Sequence, residues 1–116
     1  MIKLAAAALL LLVVACHGFL GNLGGYVDRP ELINDQTTQA LANYAAEHIA
    51  TTQNLLLEHI KVIRVQTQLV NGVNYKINFT AEPVEGISGQ TTTCEVVINV
   101  RFDSVKNIAQ AQCQTS

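Results

Sequence analysis

The sequence predicts a small α+β domain in which one N-terminal helix packs across an antiparallel sheet of four to five strands. Three features point there. Helical spacing of apolar residues appears in one stretch, around residues 34 to 57. From Ile63 onward, apolar and polar residues alternate in runs that read as strands. Those runs also match face to face as two hairpins. At 116 residues the chain has room for one such domain and a modest core.

The N-terminus is expected to stand outside that domain. Lys3 precedes an unbroken apolar run from Leu4 to Ala15. This is the pattern of a secretory signal peptide, too short for a membrane span. Small residues permit cleavage after Ala15 or after Gly18. The second site is favoured because it removes Cys16 and leaves Cys94 and Cys113, an even pair suited to an oxidising compartment. The expected division is therefore a signal peptide at 1–18 and a secreted, extracellular domain at 19–116. Val13-Val14-Ala15-Cys16 also has the look of a bacterial lipoprotein cleavage box, a less favoured reading that would acylate Cys16. Loss of Lys3 leaves six Lys and Arg against nine Asp and Glu. With no basic stripe and no second apolar segment, neither nucleic acid nor membrane is an expected partner.

Within the domain, Gly21 to Arg29 has the composition of an arm leading into a short strand around Tyr26-Val27. Asn34 or Asp35 is placed to cap the helix. Ala40, Leu41, Tyr44, Ala45, His48 and Ile49 then form one apolar stripe. Thr51-Thr52-Gln53-Asn54 ends the stripe, although Leu55 to Leu57 could carry a further turn.

Face matching decides the hairpins. Ile63, Val65, Thr67 and Leu69 share one strand face, and Val73, Tyr75, Ile77 and Phe79 share the next. A two-residue loop at Asn71-Gly72 would point these faces opposite ways. A three-residue loop, Val70-Asn71-Gly72, sets Leu69 against Val73, Thr67 against Tyr75 and Val65 against Ile77, with Gly72 in the left-handed position. Val70 then stands at an exposed tip. In the second hairpin Cys94, Val96, Ile98, Val100 and Phe102 face Ala109, Ala111 and Cys113. If Cys94 opposes Cys113, then Val96 opposes Ala111, Ile98 opposes Ala109, and the turn falls at Asp103-Ser104. The two sulfurs are then placed for a disulfide, which should add roughly 3 kcal/mol by the chain-entropy estimate.

Gln68-Leu69-Val70-Asn71-Gly72 fits the Gln-x-Val-x-Gly pattern of the cystatins, and Val73-Asn74-Tyr75 continues it as cystatins often do. Leu23-Gly24-Gly25 lies upstream at about the family distance, and Cys94 with Cys113 resembles the C-terminal disulfide of secreted cystatins. The likeness covers the whole mature chain, which thus resembles a secreted single-domain cystatin with a cystatin-like fold. There are two departures. Phe102-Asp103 stands where secreted cystatins usually carry Pro-Trp, and a second, earlier disulfide common in the family is absent.

The resemblance implies reversible, tight-binding inhibition of papain-like, cathepsin-type cysteine proteases by a wedge of arm and hairpin tips. The residues it assigns are Leu23, Gly24 and Gly25 in the arm, Gln68 to Gly72 at the first tip, and Phe102 and Asp103 at the second. Either Gly24 or Gly25 is the arm glycine, and Gln68 is expected to support the loop. A secreted cystatin-fold binding module without inhibitory activity is the alternative, favoured by the absence of Trp. No enzyme, metal site or cofactor is expected, and the protein should be a monomer. Neither His48 on the helix stripe nor His59 has metal-ligand spacing. Asn78-Phe79-Thr80 is an N-glycosylation sequon on a polar strand face. Gln53-Asn54-Leu55 does not reproduce the Ser-Asn-Asp of cystatins that also inhibit legumain-type proteases. Mass spectrometry of the non-reduced mature protein should find Cys94 joined to Cys113 and Cys16 absent. A lipid on Cys16 would overturn both the compartment and the domain boundary.

Overall fold

A computed structural model describes residues 25–116, so the expected signal peptide at 1–18, Cys16, Leu23 and Gly24 lie outside the described residues. The chain forms β1 (Val27–Asp28), a 3-10 turn (Pro30–Leu32), helix α1 (Gln36–Thr52), and strands β2 (Leu57–Leu69), β3 (Val73–Pro83), β4 (Thr92–Val100) and β5 (Lys106–Thr115). All pairings are antiparallel, and the five strands lie in sequence order in one sheet with α1 packed on one face. This is the expected α+β architecture.

Asp35 caps α1: its Oδ2 accepts a hydrogen bond of 3.0 Å from the Thr37 backbone N–H. Such a cap contributes about 1 kcal/mol. Thr38, Leu41, Ala42, Ala45 and Ile49 are the buried positions. Ala40, expected in the stripe, faces solvent, and Ala42 takes its place. The spacing 38-41-42-45-49 is the true helical stripe, with Tyr44 and His48 on its half-buried flank. No further turn follows at Leu55–Leu57. The Thr51 and Thr52 hydroxyls donate to the His48 carbonyl, and Asn54 takes a left-handed φ of 53° that a continuing helix does not allow. Gln53 Nε2 then donates to the Ala111 carbonyl at 2.9 Å, tying the helix end to β5.

The core joins Leu41, Ala42, Ala45 and Ile49 to Val62, Val65, Ile77, Phe79, Cys94, Val96 and Ile98. The first hairpin has the expected register, with Leu69 opposite Val73, Thr67 opposite Tyr75 and Val65 opposite Ile77. Upstream, the strict alternation fails. The pairing shifts between Val62 and Arg64, and again between Glu58 and Lys61, where His59 has a φ of 55°. Each extra residue reverses the phase of the strand. Ile63, expected on the core face, is therefore 45% exposed, and Val62 is buried in its stead.

The second hairpin behaves similarly. Cys94 opposes Cys113 and Val96 opposes Ala111, as expected. A shift between Val97 and Ile98 then excludes Ala109 and sets Ile98 against Ile108. The turn is consequently three residues, Phe102-Asp103-Ser104, and not Asp103-Ser104. Ser104 N–H donates to the Arg101 carbonyl at 2.9 Å, Arg101 N–H to the Val105 carbonyl at 3.0 Å, and Ser104 holds a left-handed φ of 68°. Cys94 and Cys113 form a disulfide.

Leu69 requires a further correction. Its partners in register imply a buried residue, yet it is 81% exposed. Lengths explain this. The 17-residue helix spans about 25 Å, whereas the 13-residue β2 runs to about 40 Å. The core ends near Val65, and the last residues of β2 project beyond it.

The bulge at Ile63 is testable. Val62→Asp should cost about 3 kcal/mol or more by stranding a charge in the core, whereas Ile63→Asp should stay within about 0.5 kcal/mol of the parent. Urea unfolding midpoints with unchanged slopes would show this ordering, and equal losses would refute the phase reversal.

Candidate functional site

The projecting end of the sheet gathers most of the residues assigned from sequence. The β1 register sets Val27 opposite Thr67, so Gly25, two residues earlier, lies level with Leu69. The Arg29 N–H donates to the Val65 carbonyl at 2.8 Å, and Arg64 Nε donates to Asp28 Oδ1 at 3.0 Å. The Lys76 ammonium lies 4.5 Å from the centre of the Tyr26 ring. These contacts hold Tyr26 to Arg29 against β2 and β3, with Gly25 level with the end of β2.

Both tips are three-residue loops that begin with an exposed apolar residue. Val70 is 46% exposed and Phe102 is 86% exposed, with Leu69 and Val105 also open to solvent. Gly72 brings the tips together. Its φ of 113° excludes ordinary side chains, and an added Cβ would collide with the Val100 carbonyl oxygen and lie 2.9 Å from Arg101 Cα. Asn71, Arg101, Phe102 and Asp103 line a shallow hollow between the tips, where Arg101 pairs with Asp103 at 3.2 Å.

Behind the first tip runs a ladder of amides on the sheet's outer face. Asn74 Nδ2 donates to Gln68 Oε1 at 3.3 Å, and Asn99 Nδ2 donates to Asn74 Oδ1 at 2.8 Å and to the Val70 carbonyl at 3.4 Å. Gln68 is half-buried in this network, whereas Leu69, Val70 and Asn71 are exposed.

A cystatin-domain family profile matches residues 24–100. The chain belongs to the cystatin family. Its fold is shared by a salivary cystatin of the soft tick Ornithodoros moubata (21% identity, TM-score 0.64, 78% of this chain and 97% of the other). A structure described as Al-CPI matches at 25% identity and TM-score 0.65, over 80% of this chain and all of the other. Dimeric human cystatin F matches at 16% identity and TM-score 0.65, over 80% and 88% of the two chains. Comparison with curated proteins finds no relative of significant similarity.

In this cystatin, sequence reasoning missed Asn74 and Asn99, the two amides that connect Gln68 to the loop. The first hairpin's register was enough to set Asn74 opposite Gln68, whereas Asn99 comes beside Asn74 only through the pairing of β3 with β4, which the sequence did not supply. The second turn, expected at Asp103-Ser104, also takes in Phe102, and the exposed Val105 beside it was missed. The disulfide lies away from the tips, joining β4 to β5 under the helix end.

Among the described residues, Glu58, His59 and Glu82 are the one group with metal-ligating atoms close together, within 4.8 Å, and all three are exposed. His59 Nδ1 lies 2.8 Å from Glu82 Oε2, and that hydrogen bond, followed by the Glu82 charge, raises the His59 pKa above its usual 6.5. The pair therefore favours the folded state below about pH 6.5 and loses that effect as pH rises through the raised value.

Gly72→Ala in this cystatin should lose about 1 to 3 kcal/mol through left-handed strain and the backbone collision. Urea denaturation would measure the loss, and backbone amide shifts should change at Val100 and Arg101. Ser104→Gly, which needs no such accommodation, should be neutral or stabilising.

Proposed function

We propose that this cystatin is a secreted, monomeric, reversible inhibitor of papain-like, cathepsin-type cysteine proteases. Its wedge comprises Leu23, Gly24 and Gly25, the loop from Gln68 to Gly72, and Phe102 with Asp103. The observation that carries this reading is the grouping of exposed Leu69, Val70 and Phe102 at one end of the sheet, outside the core. Burial of an exposed Phe or Val in an enzyme cleft would contribute roughly 1.5 to 3 kcal/mol gross for each side chain, before ordering costs. Val70 and Phe102 begin loops of equal length, so two apolar prongs project side by side. A glycine arm leading to the same end lets the backbone approach a cleft wall closely.

Gln68 and Asn99 act behind this surface. A loop whose Val70 carbonyl is already held loses less freedom on binding, and pre-ordering of this kind chiefly lowers the cost of association. No peptide bond of such a wedge need cross the enzyme's nucleophile, so inhibition is non-covalent. Phe102 takes the place of the missing Trp as the aromatic prong.

Titration of papain with the mature protein is expected to abolish activity reversibly. Absence of inhibition by folded, disulfide-bonded protein would instead favour a cystatin-fold binding module. Val70→Asp should cost about 0.5 kcal/mol of stability or less, yet weaken inhibition tenfold or more, on the order of 1.4 kcal/mol. Leu69→Asp should also fold. Deletion through Gly25 should weaken inhibition with little change in Tm, and full potency after deletion would remove the arm from the wedge.

A further inference from the structure

We infer that Asn78 is an N-glycosylation site whose glycan occupies the open face of the sheet and leaves the hairpin tips clear. The inference rests on the proposed secretion of the chain. Asn78-Phe79-Thr80 meets the acceptor pattern. Phe79 is fully buried beneath the helix, which turns Asn78 and Thr80 to the opposite face. On that face Asn78 is half-buried, and no described helix or strand covers it.

The surroundings leave room in the folded sheet for a glycan attached at Asn78. Asn78 lies abreast of Arg64 on β2 and Glu95 on β4. Arg64 is bound to Asp28 at 3.0 Å, and Glu95 lies 3.6 Å from Lys76. Asn74 and Asn99 on the same face are bonded to each other, whereas Asn78 has no side-chain hydrogen bond among the described residues. A broad polar hollow opens beside it across β4, lined by Thr93, Glu95, Gln112 and Gln114. Those hydroxyl, carboxylate and amide groups suit the hydroxyls of a sugar.

The reaction needs a lipid-pyrophosphate-linked oligosaccharide as donor. The Asn78 amide nitrogen supplies the electron pair for a new bond to the anomeric carbon. The bond from that carbon to the phosphate oxygen breaks with its pair leaving on the lipid pyrophosphate, and the amide proton passes to a base. Transfer to the emerging, unfolded chain precedes sheet formation, so a central strand is no obstacle provided the folded face has room. Asn78 lies five residues from Val73, about 16 Å along β3, so a glycan there stays clear of the tips.

The test is secretion of the full chain, with its own N-terminus, from glycosylation-competent eukaryotic cells. Secreted protein should lose mass on treatment with peptide-N-glycosidase F, and peptide mass spectrometry should place the resulting Asp at position 78. Thr80→Ser should retain the glycan, whereas Thr80→Ala should lose it. If Thr80→Ala is not secreted, Thr80→Ser and the enzyme digest decide alone. Secreted, disulfide-bonded protein with unmodified Asn78 overturns the inference and leaves secretion standing. Retention in the cell with residues 1–18 attached overturns the secretion reading, and the inference with it. Papain inhibition should be unchanged within twofold by deglycosylation, and a larger gain would show that the glycan covers the tips.

Discussion

One buried face sets the position of everything else in this molecule. Leu41, Ala42, Ala45 and Ile49 require a continuous apolar surface to rest on, and Val65, Ile77, Phe79, Val96 and Ile98 supply it from three adjacent strands. Side chains alternate strictly along a strand, so a slip of one residue in any pairing would send a polar face against the helix. The irregularities of β2 and β5 follow from the same demand. Near Ile63, His59 and Ala109 an extra residue lets the strand bend and twist around the helix while its apolar residues return to the core.

That core is also short. It closes near Val65, whereas β2 continues to Leu69 and β4 to Val100, leaving both loops cantilevered beyond the helix. A projecting hairpin has no apolar layer to order it, and other interactions do so here. The amides of Gln68, Asn74 and Asn99 bridge three strands on the outer face, and the missing Cβ of Gly72 lets the first loop rest on the backbone of the second. The apolar residues at the tips can therefore stay exposed without weakening the fold. The exposed tip residues and the residues that hold the core are thus separate sets.

The hairpin loop at Val70-Asn71-Gly72 was legible because two long, cleanly alternating strands flank it and only one loop length makes their faces agree. The helix start, narrowed to a cap at Asn34 or Asp35, and the Cys94–Cys113 pairing were legible for similar local reasons. The bulges were not. Ile60, Val62, Ile63 and Val65 offer apolar residues in both phases of the strand, as do Ile108 and Ala109, so periodicity permits either face. The second turn was misplaced by this same ambiguity, since one residue of slip in β5 moves the turn by half a residue. At the candidate site, Val70 could be placed at a tip by the register, whereas Phe102 was assigned through the resemblance, since the expected turn began only at Asp103. The role of Asn99 could not be read, because it depends on a partner across a neighbouring strand.

Local chemistry in the sequence therefore determined the class of fold, the first hairpin's register, the disulfide and the family. Each rests on side-chain periodicity, turn geometry or residue spacing that acts over a few neighbours or across one strand pair. Tertiary structure alone decided that Leu69 faces water, that Ile63 and Val62 exchange places, and that Gly72 must meet Val100 and Arg101. Those outcomes depend on where a 17-residue helix stops covering a longer sheet and on how far that sheet must twist to follow it. Such distances exist only once the layers have packed.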